Sequence, residues 1–69
     1  MSDSIYKVIE LVGTSKDSWE KAAAGAVEKA AETLRDLRVA EVVDLDMVIE
    51  DGKVRAYRAK VKVSFKFEG

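Results

Sequence analysis

Two long stretches of alternating apolar and polar residues, separated by Asp-Gly-Lys, constrain the fold of this chain most strongly. They cover residues 39–50 and 54–68. A period of two is typical of β-strands that turn one apolar face to a core. The apolar faces of the paired strands must lie on the same side of the sheet, and that condition predicts the register. It favours a three-residue loop, 51–53, and the following opposite pairs: Met47 with Tyr57, Leu45 with Ala59, Val43 with Val61, Asp46 with Arg58, and Asp44 with Lys60.

Residues 14–38 have the spacing of an amphipathic helix. Asp17, followed three residues later by Glu20, resembles a capping box, and Ser15 is a competing N-cap. Gly25 indicates either close packing or a tolerated surface position. The apolar residues at helical spacing form one stripe: Trp19, Ala23, Ala26, Val27, Ala30, Leu34 and Leu37.

Residues 4–13 are rich in Ile, Val and Tyr and end at Gly13, which is typical of a strand. Apolar residues occupy both faces of this strand, so both faces should be covered. One cover is the helix, and a neighbouring subunit can supply the other.

The order strand, helix, strand, strand predicts an α+β chain. A right-handed crossover places the last strand between the other two. We therefore expect a βαββ subunit with a three-stranded, antiparallel-dominated sheet packed on one helix, forming a single domain over residues 1–69.

Size and composition together predict a homo-oligomer. The chain has 69 residues and contains neither cysteine nor histidine. Small domains usually need disulfides, a structural metal or oligomerisation to supplement a small core. Disulfides and ordinary zinc sites are excluded here, which leaves oligomerisation, although many domains of this size fold as monomers.

The charge balance narrows the range of partners. The net charge is −1, whereas a general nucleic-acid binder shows a basic excess. The apolar runs are far shorter than the ~20 residues that cross a bilayer. We expect no nucleic-acid partner, no membrane partner and a cytoplasmic location.

The residue types predict binding rather than catalysis. Histidine and cysteine, the usual bases and nucleophiles, are missing, so we expect no enzyme activity. Glu41, Asp44 and Asp46 carry the hard oxygen ligands that calcium or magnesium prefers. Two interpretations stay open for these acids. They are solvated partners of the basic residues across the hairpin, or they form a metal site where a symmetry axis gathers several copies.

The whole chain resembles the dodecin family. The resemblance rests on the segments YKVIELVGTS, SWEKAAAGAVEKAAETLR, VAEV and YRAKVKVSFKFE. Dodecins are hollow, spherical homododecamers of βαββ subunits, so the resemblance implies a partner set of eleven further copies of the chain.

The resemblance also implies a ligand. Most dodecins store or sequester flavins (riboflavin or FMN), using a tryptophan in a W-x-E-V pattern and a glutamine after the tyrosine of the last strand. The matching positions here hold Val39 and Arg58, which the predicted register places on opposite faces of the sheet. Valine offers no aromatic stacking, and an arginine side chain only donates hydrogen bonds.

The pattern without that tryptophan looks closer to the calcium-binding dodecins. From the resemblance we therefore expect a non-enzymatic homododecamer that binds divalent cations, above all calcium. The alternatives are flavin storage and a purely structural assembly.

Overall fold

The computed structural model describes residues 5–66 of the chain. It contains β1 (Tyr6–Ser15), α1 (Trp19–Ala31), β2 (Leu37–Glu50) and β3 (Lys53–Lys66). The sheet order is β1-β3-β2, and both pairings are antiparallel. The predicted α+β fold, with the last strand in the centre and one helix, is confirmed. The predicted positions Ser4 and Phe67 lie outside the described residues.

The helix covers only part of one sheet face, called here the helix face; the opposite side is the outer face. A helix of 13 residues is about 20 Å long, whereas a strand of 14 residues spans about 46 Å. The molecule accordingly measures 56 × 20 × 15 Å, and the far half of the β2–β3 hairpin extends beyond α1. The buried core is made of small side chains from α1 and β3: Ala22, Ala30, Ala59, Val61 and Val63.

The helix is shorter than predicted at both ends. It begins at Trp19, and the N-cap is Ser18, whose hydroxyl accepts a hydrogen bond from the Lys21 N–H at 3.1 Å. The predicted capping box of Asp17 and Glu20 is therefore wrong. The predicted competing cap, Ser15, belongs to β1, and its hydroxyl accepts the N–H of Asp17 at 3.0 Å in the connecting turn.

The C-terminal part of the predicted apolar stripe is also wrong. Leu34 follows the helix, and Leu37 begins β2. The N–H groups of Thr33 and Leu34 both donate to the Ala30 carbonyl as the last turn ends. Asp36 then adopts φ 58°, a left-handed conformation that aspartate tolerates better than most residues and that redirects the chain into β2.

The hairpin has most of the predicted residue pairs, but its turn differs from the predicted one. The predicted three-residue loop is wrong, because Glu50 pairs with Lys53 around a two-residue turn. Asp51 and Gly52 have φ of 53° and 72°, as in the type I′ turn that suits a twisted hairpin. A bulge then shifts the register between Val48 and Ile49.

Because of this bulge, the pairs Met47–Tyr57, Leu45–Ala59, Asp46–Arg58 and Asp44–Lys60 form as predicted. A second register shift lies between Val42 and Asp44. Val42 pairs with Val61, and the predicted pairing of Val43 with Val61 is wrong.

Within residues 5–66, no helix combines the length and apolar character that a membrane crossing requires.

Gly13 is the point of closest approach between β1 and α1. A Cβ atom at this position would overlap the carbonyl oxygen of Ala22, lie 2.9 Å from its carbonyl carbon and lie 3.1 Å from the Ala26 Cβ. Two of these atoms belong to the backbone and cannot rotate away. A Cβ atom added at Gly25, in contrast, would meet no atom within 4 Å beyond its chain neighbours and the backbone of the helix itself. Of the two interpretations of Gly25, the structure therefore favours the tolerated surface position.

We predict that Gly13→Ala destabilises the protein by about 1–3 kcal/mol, because the helix must move away from the sheet and overpack its surroundings. Gly25→Ala is the matched control and should be neutral or stabilise by up to about 1 kcal/mol, since alanine is the better helix former. Thermal or denaturant unfolding at matched protein concentration measures both. Equal effects of the two substitutions would contradict the close approach at Gly13.

Candidate functional site

The acidic residues of β2 lie in one row on the outer face of the sheet. This row, the acidic stripe, consists of Glu41, Asp44 and Asp46. Strict alternation would turn Glu41 to the side opposite Asp44. The register shift around Val43 reverses this, and Glu41 pairs with Lys62 on the outer face. The structure thus brings all three predicted metal-ligand candidates to the same face.

Each acid of the stripe lies opposite a basic residue of β3. Asp46 pairs with Arg58, and Asp44 pairs with Lys60. Residues directly opposite each other in an antiparallel sheet lie on the same face, so each acid and its basic partner are neighbours on the outer face. The Lys60 Nζ lies 4.0 Å from Asp44 Oδ2. The charge complementarity predicted across the hairpin is confirmed. Within the described part of the chain, no three acidic side chains come close enough together to hold a metal ion.

Asp46 has the best-defined contacts of the stripe. Arg58 donates from Nε to Oδ1 at 2.7 Å and from Nη2 to Oδ2 at 2.8 Å. This two-point geometry matches the planar guanidinium to the planar carboxylate. The hydrogen bond from Arg58 is the main cause that lowers the pKa of Asp46 below its usual value, and the same bond raises the pKa of Arg58.

Trp19 ties the start of the helix to the strand at the same position. Its indole Nε1–H donates to the backbone carbonyl of Asp46 at 3.0 Å. Its ring packs edge-to-face on Tyr57, with centroids 5.0 Å apart and planes at 67°. Sequence reasoning placed Trp19 in the apolar stripe and missed this contact. The sequence did contain a signal for this contact, because a half-buried indole N–H needs a hydrogen-bond acceptor.

The two positions matching the flavin site of the resemblance, Val39 and Arg58, also lie on the outer face. The predicted register had placed them on opposite faces. That part of the prediction is wrong, because the shift around Val43 turns Val39 toward the outer side, where it pairs with Ser64. Ser64 and Arg58 are six positions apart on β3, or about 20 Å along the strand, so within one chain Val39 and Arg58 do not line a common pocket.

A groove of about 800 Å³ lies between α1 and β1, away from the acidic stripe. Its walls are mainly apolar and include Ile9, Leu11 and Ala26, with Lys29 and Glu32 also contributing. It contains none of the predicted site residues.

Comparison with known proteins agrees with this architecture. The family model described as Dodecin matches residues 5–68. The chain belongs to the dodecin family. The resemblance noted from the sequence segments is therefore confirmed, over nearly the entire chain.

Individual dodecins show how close the similarity is. Calcium dodecin from Mycobacterium tuberculosis is 49% identical over 63 residues, which covers 91% of this chain and 89% of that protein. A crystal structure of calcium dodecin from the same organism, described as calcium chelating with a novel calcium-binding site, superposes with a TM-score of 0.84 at 50% identity and covers 94% of this chain and 93% of that one. A dodecin structure from Streptomyces coelicolor superposes with a TM-score of 0.92 at 40% identity, covering 100% and 99% of the two chains.

The lowered pKa of Asp46 predicts an acid-sensitive contribution to stability. A carboxyl with a pKa below its unfolded value stabilises the folded state above the unfolded pKa, and this stabilisation is lost as the pH falls through the folded pKa. We therefore expect Asp46→Asn to lower the melting temperature slightly at pH 7. The difference from the unsubstituted protein should begin to shrink as the pH falls below about 4, near the unfolded pKa of aspartate, and should vanish only once the pH is below the lower, folded pKa.

The control is the same substitution in an Arg58→Gln background. Without Arg58, Asp46 keeps only the weaker attraction of Lys60, so the difference at pH 7 should be much smaller. High salt should also reduce it, because the pair is about half exposed and therefore screened. A pH-independent effect of Asp46→Asn would contradict the ion pair as its origin.

Proposed function

We propose that this protein is a non-enzymatic homododecamer that binds calcium. The observation that carries the calcium assignment is the 49% identity to a calcium dodecin over 91% of the chain. The chain has the chemistry that such binding needs, because the acidic stripe presents carboxylate oxygens, the ligands that calcium prefers.

Assembly is supported by apolar side chains that the single chain leaves exposed. On β2, Leu45 is 51% exposed because the helix packs mainly on β1 and β3, and Ile49, next to the turn and beyond the helix, is 63% exposed. On the outer face of β1, Val8 and Val12 are also more than half exposed. Exposed apolar surface on both sides of one sheet is typical of an interaction surface, and further copies of the chain would cover it.

Assembly and cation binding are connected by the number of carboxylates. One chain supplies the three acids Glu41, Asp44 and Asp46, each opposite a basic residue, whereas calcium takes six to eight oxygen ligands. A symmetric oligomer repeats the same acid around an axis. We infer that copies of the acidic stripe from several chains together form the calcium site.

The geometry supports binding rather than catalysis. A general acid needs a carboxyl with a raised pKa, but the hydrogen bond to Arg58 lowers the pKa of Asp46. We therefore propose that no reaction is catalysed at the stripe.

Flavin storage is the second candidate. The observation that favours it is the position of Val39 and Arg58 on the same outer face, where two different chains of an assembly can bring them together. Quenching of riboflavin fluorescence on addition of the protein would support this function, and unchanged fluorescence would exclude it.

Two measurements test the proposed function. Size-exclusion chromatography with light scattering should give about twelve times the chain mass of 7.6 kDa, and a much smaller particle would contradict the dodecamer. Calorimetric titration of the metal-free protein with calcium chloride should show saturable binding at or below about millimolar calcium, the weaker end of the range for protein sites.

Neutral variants of the stripe identify the ligands. We expect Glu41→Gln, Asp44→Asn or Asp46→Asn to weaken calcium binding, because each removes a charged oxygen ligand. Glu28→Gln, on the exposed side of α1, is the matched control and should leave it unchanged. No binding at millimolar calcium would contradict calcium binding. If chelation also leaves particle size and melting temperature unchanged, the assembly is purely structural.

A further inference from the structure

The helix leaves an apolar strip of the helix face uncovered on the β2–β3 hairpin. This uncovered strip consists of Leu45, Met47, Ile49 and Val54, whose side chains are between 44% and 63% exposed. The three β2 residues follow one another at every second position and therefore share one face, and Val54 lies opposite Ile49. A single chain thus exposes a continuous row of large apolar side chains, which is typical of an interaction surface.

The same chain also carries a recess, the groove of about 800 Å³ between α1 and β1. Its volume lies in the range of about 300–1,000 Å³ that is typical of protein sites for apolar ligands, so it has room for several apolar side chains. Two of its charged residues, Lys29 and Glu32, form an ion pair at 3.3 Å and are mostly exposed. They border the groove and leave its walls mainly apolar.

The uncovered strip cannot reach the groove of its own chain. Ile49 pairs with Val54, whereas Leu11 in the groove pairs with Val61. Val54 and Val61 are seven positions apart on β3, or about 23 Å along the strand. The hairpin is hydrogen-bonded over this length, so it cannot bend back, and only another molecule can bring the two surfaces together.

The amount of exposed surface fits a second copy of the chain. The molecule exposes 5358 Å², whereas a compact monomer of 7.6 kDa exposes about 4,300 Å². The excess of about 1,000 Å² is close to the roughly 800 Å² that each partner buries in a protein interface of standard size. The radius of gyration, 14.4 Å, likewise exceeds the value of about 11 Å for a compact chain of this length.

The charges around the two surfaces also suit an identical partner. The end of the hairpin beside the strip carries two acids and two bases, Glu50, Asp51, Lys53 and Arg55, and Arg55 Nε lies 3.7 Å from Glu50 Oε1. The groove is bordered by one acid and one base. Neither surface has a net charge that would repel a second copy, and a polar rim around an apolar centre is typical of protein interfaces.

We propose that the uncovered strip of one copy packs into the α1–β1 groove of the next copy. This inference rests on the proposed homo-oligomer and deepens it by naming the two surfaces that meet. Because the strip and the groove are different surfaces, each copy offers its strip to one neighbour and its groove to another. Contacts of this head-to-tail kind build closed rings when the rotation between copies closes.

Engineered cysteines test this contact without background, because the chain contains no cysteine of its own. The full chain with Lys29→Cys and Ile49→Cys is treated with a short bismaleimide cross-linker and separated on a denaturing gel. We expect most chains to run as covalent multimers, because each copy is joined to two neighbours, and mass spectrometry of the digested bands should find position 29 linked to position 49.

Glu28→Cys combined with Ile49→Cys is the matched control. Position 28 is next to position 29 and is also exposed on α1, but it does not line the groove. This variant should give several-fold less multimer. Equal cross-linking from positions 28 and 29 would overturn the proposed contact.

Two further variants exclude another arrangement and loss of folding. Ile49→Cys alone should stay monomeric on the gel, and a covalent dimer would show that two strips face each other, which overturns the contact with the groove. Val54→Cys combined with Lys29→Cys is a second pair across the same contact. Thermal unfolding checks that each variant is folded, and the second pair keeps the test valid should Ile49→Cys unfold the chain.

Light scattering on the same samples distinguishes this inference from the assembly on which it rests. An oligomer that gives the 29–49 or 29–54 linkage, with little multimer in the Glu28→Cys control, supports the contact. An oligomer that gives neither linkage overturns the contact and leaves the proposed assembly standing. A monomeric unsubstituted protein overturns both.

Discussion

The close backbone approach of α1 to β1 at Gly13 is the constraint on which the rest of the structure depends. It places the helix over β1 and β3, where alanine and valine side chains form a core with little room for larger groups. A helix held at that end of the sheet cannot also cover the far half of β2. The exposed apolar residues of the hairpin, and with them the case for assembly, follow from this placement.

On the outer face of the sheet, charge rather than close packing determines which residues are neighbours. The basic residues of β3 lie between acidic or uncharged residues of β1 and β2. Glu10 of β1 and Glu41 of β2 both pair with Lys62, so the central strand carries positive charge between two acids. Such pairs contribute little to stability individually at an exposed surface. Their effect is to keep this face of the sheet nearly neutral.

The sequence predicted the strand order, the single helix and the facing pairs of the hairpin, because each depends on periodicity over many residues. It did not predict how the hairpin reaches its register. Alternation shows which side chains share a face, but a three-residue loop and a two-residue turn followed by a bulge satisfy the same alternation. The Ser18 cap was missed for a related reason, since Ser15, Asp17 and Ser18 are all competent caps and only the exit of β1 selects among them. The outer-face position of Val39 and Glu41 required the shift around Val43, for which the residues give no local signal.

That same shift leaves Val43, like Arg38 near the start of β2, without an opposite residue on β3. Val42 and Asp44 are already bonded opposite consecutive residues of β3, Val61 and Lys60, so Val43 takes no place in the ladder. A strand one residue shorter here would join Val42 directly to Asp44 with every remaining partner and every face unchanged. β2 can therefore lose a residue at this point during evolution, and two related chains that differ by a single gap there would present the same surfaces.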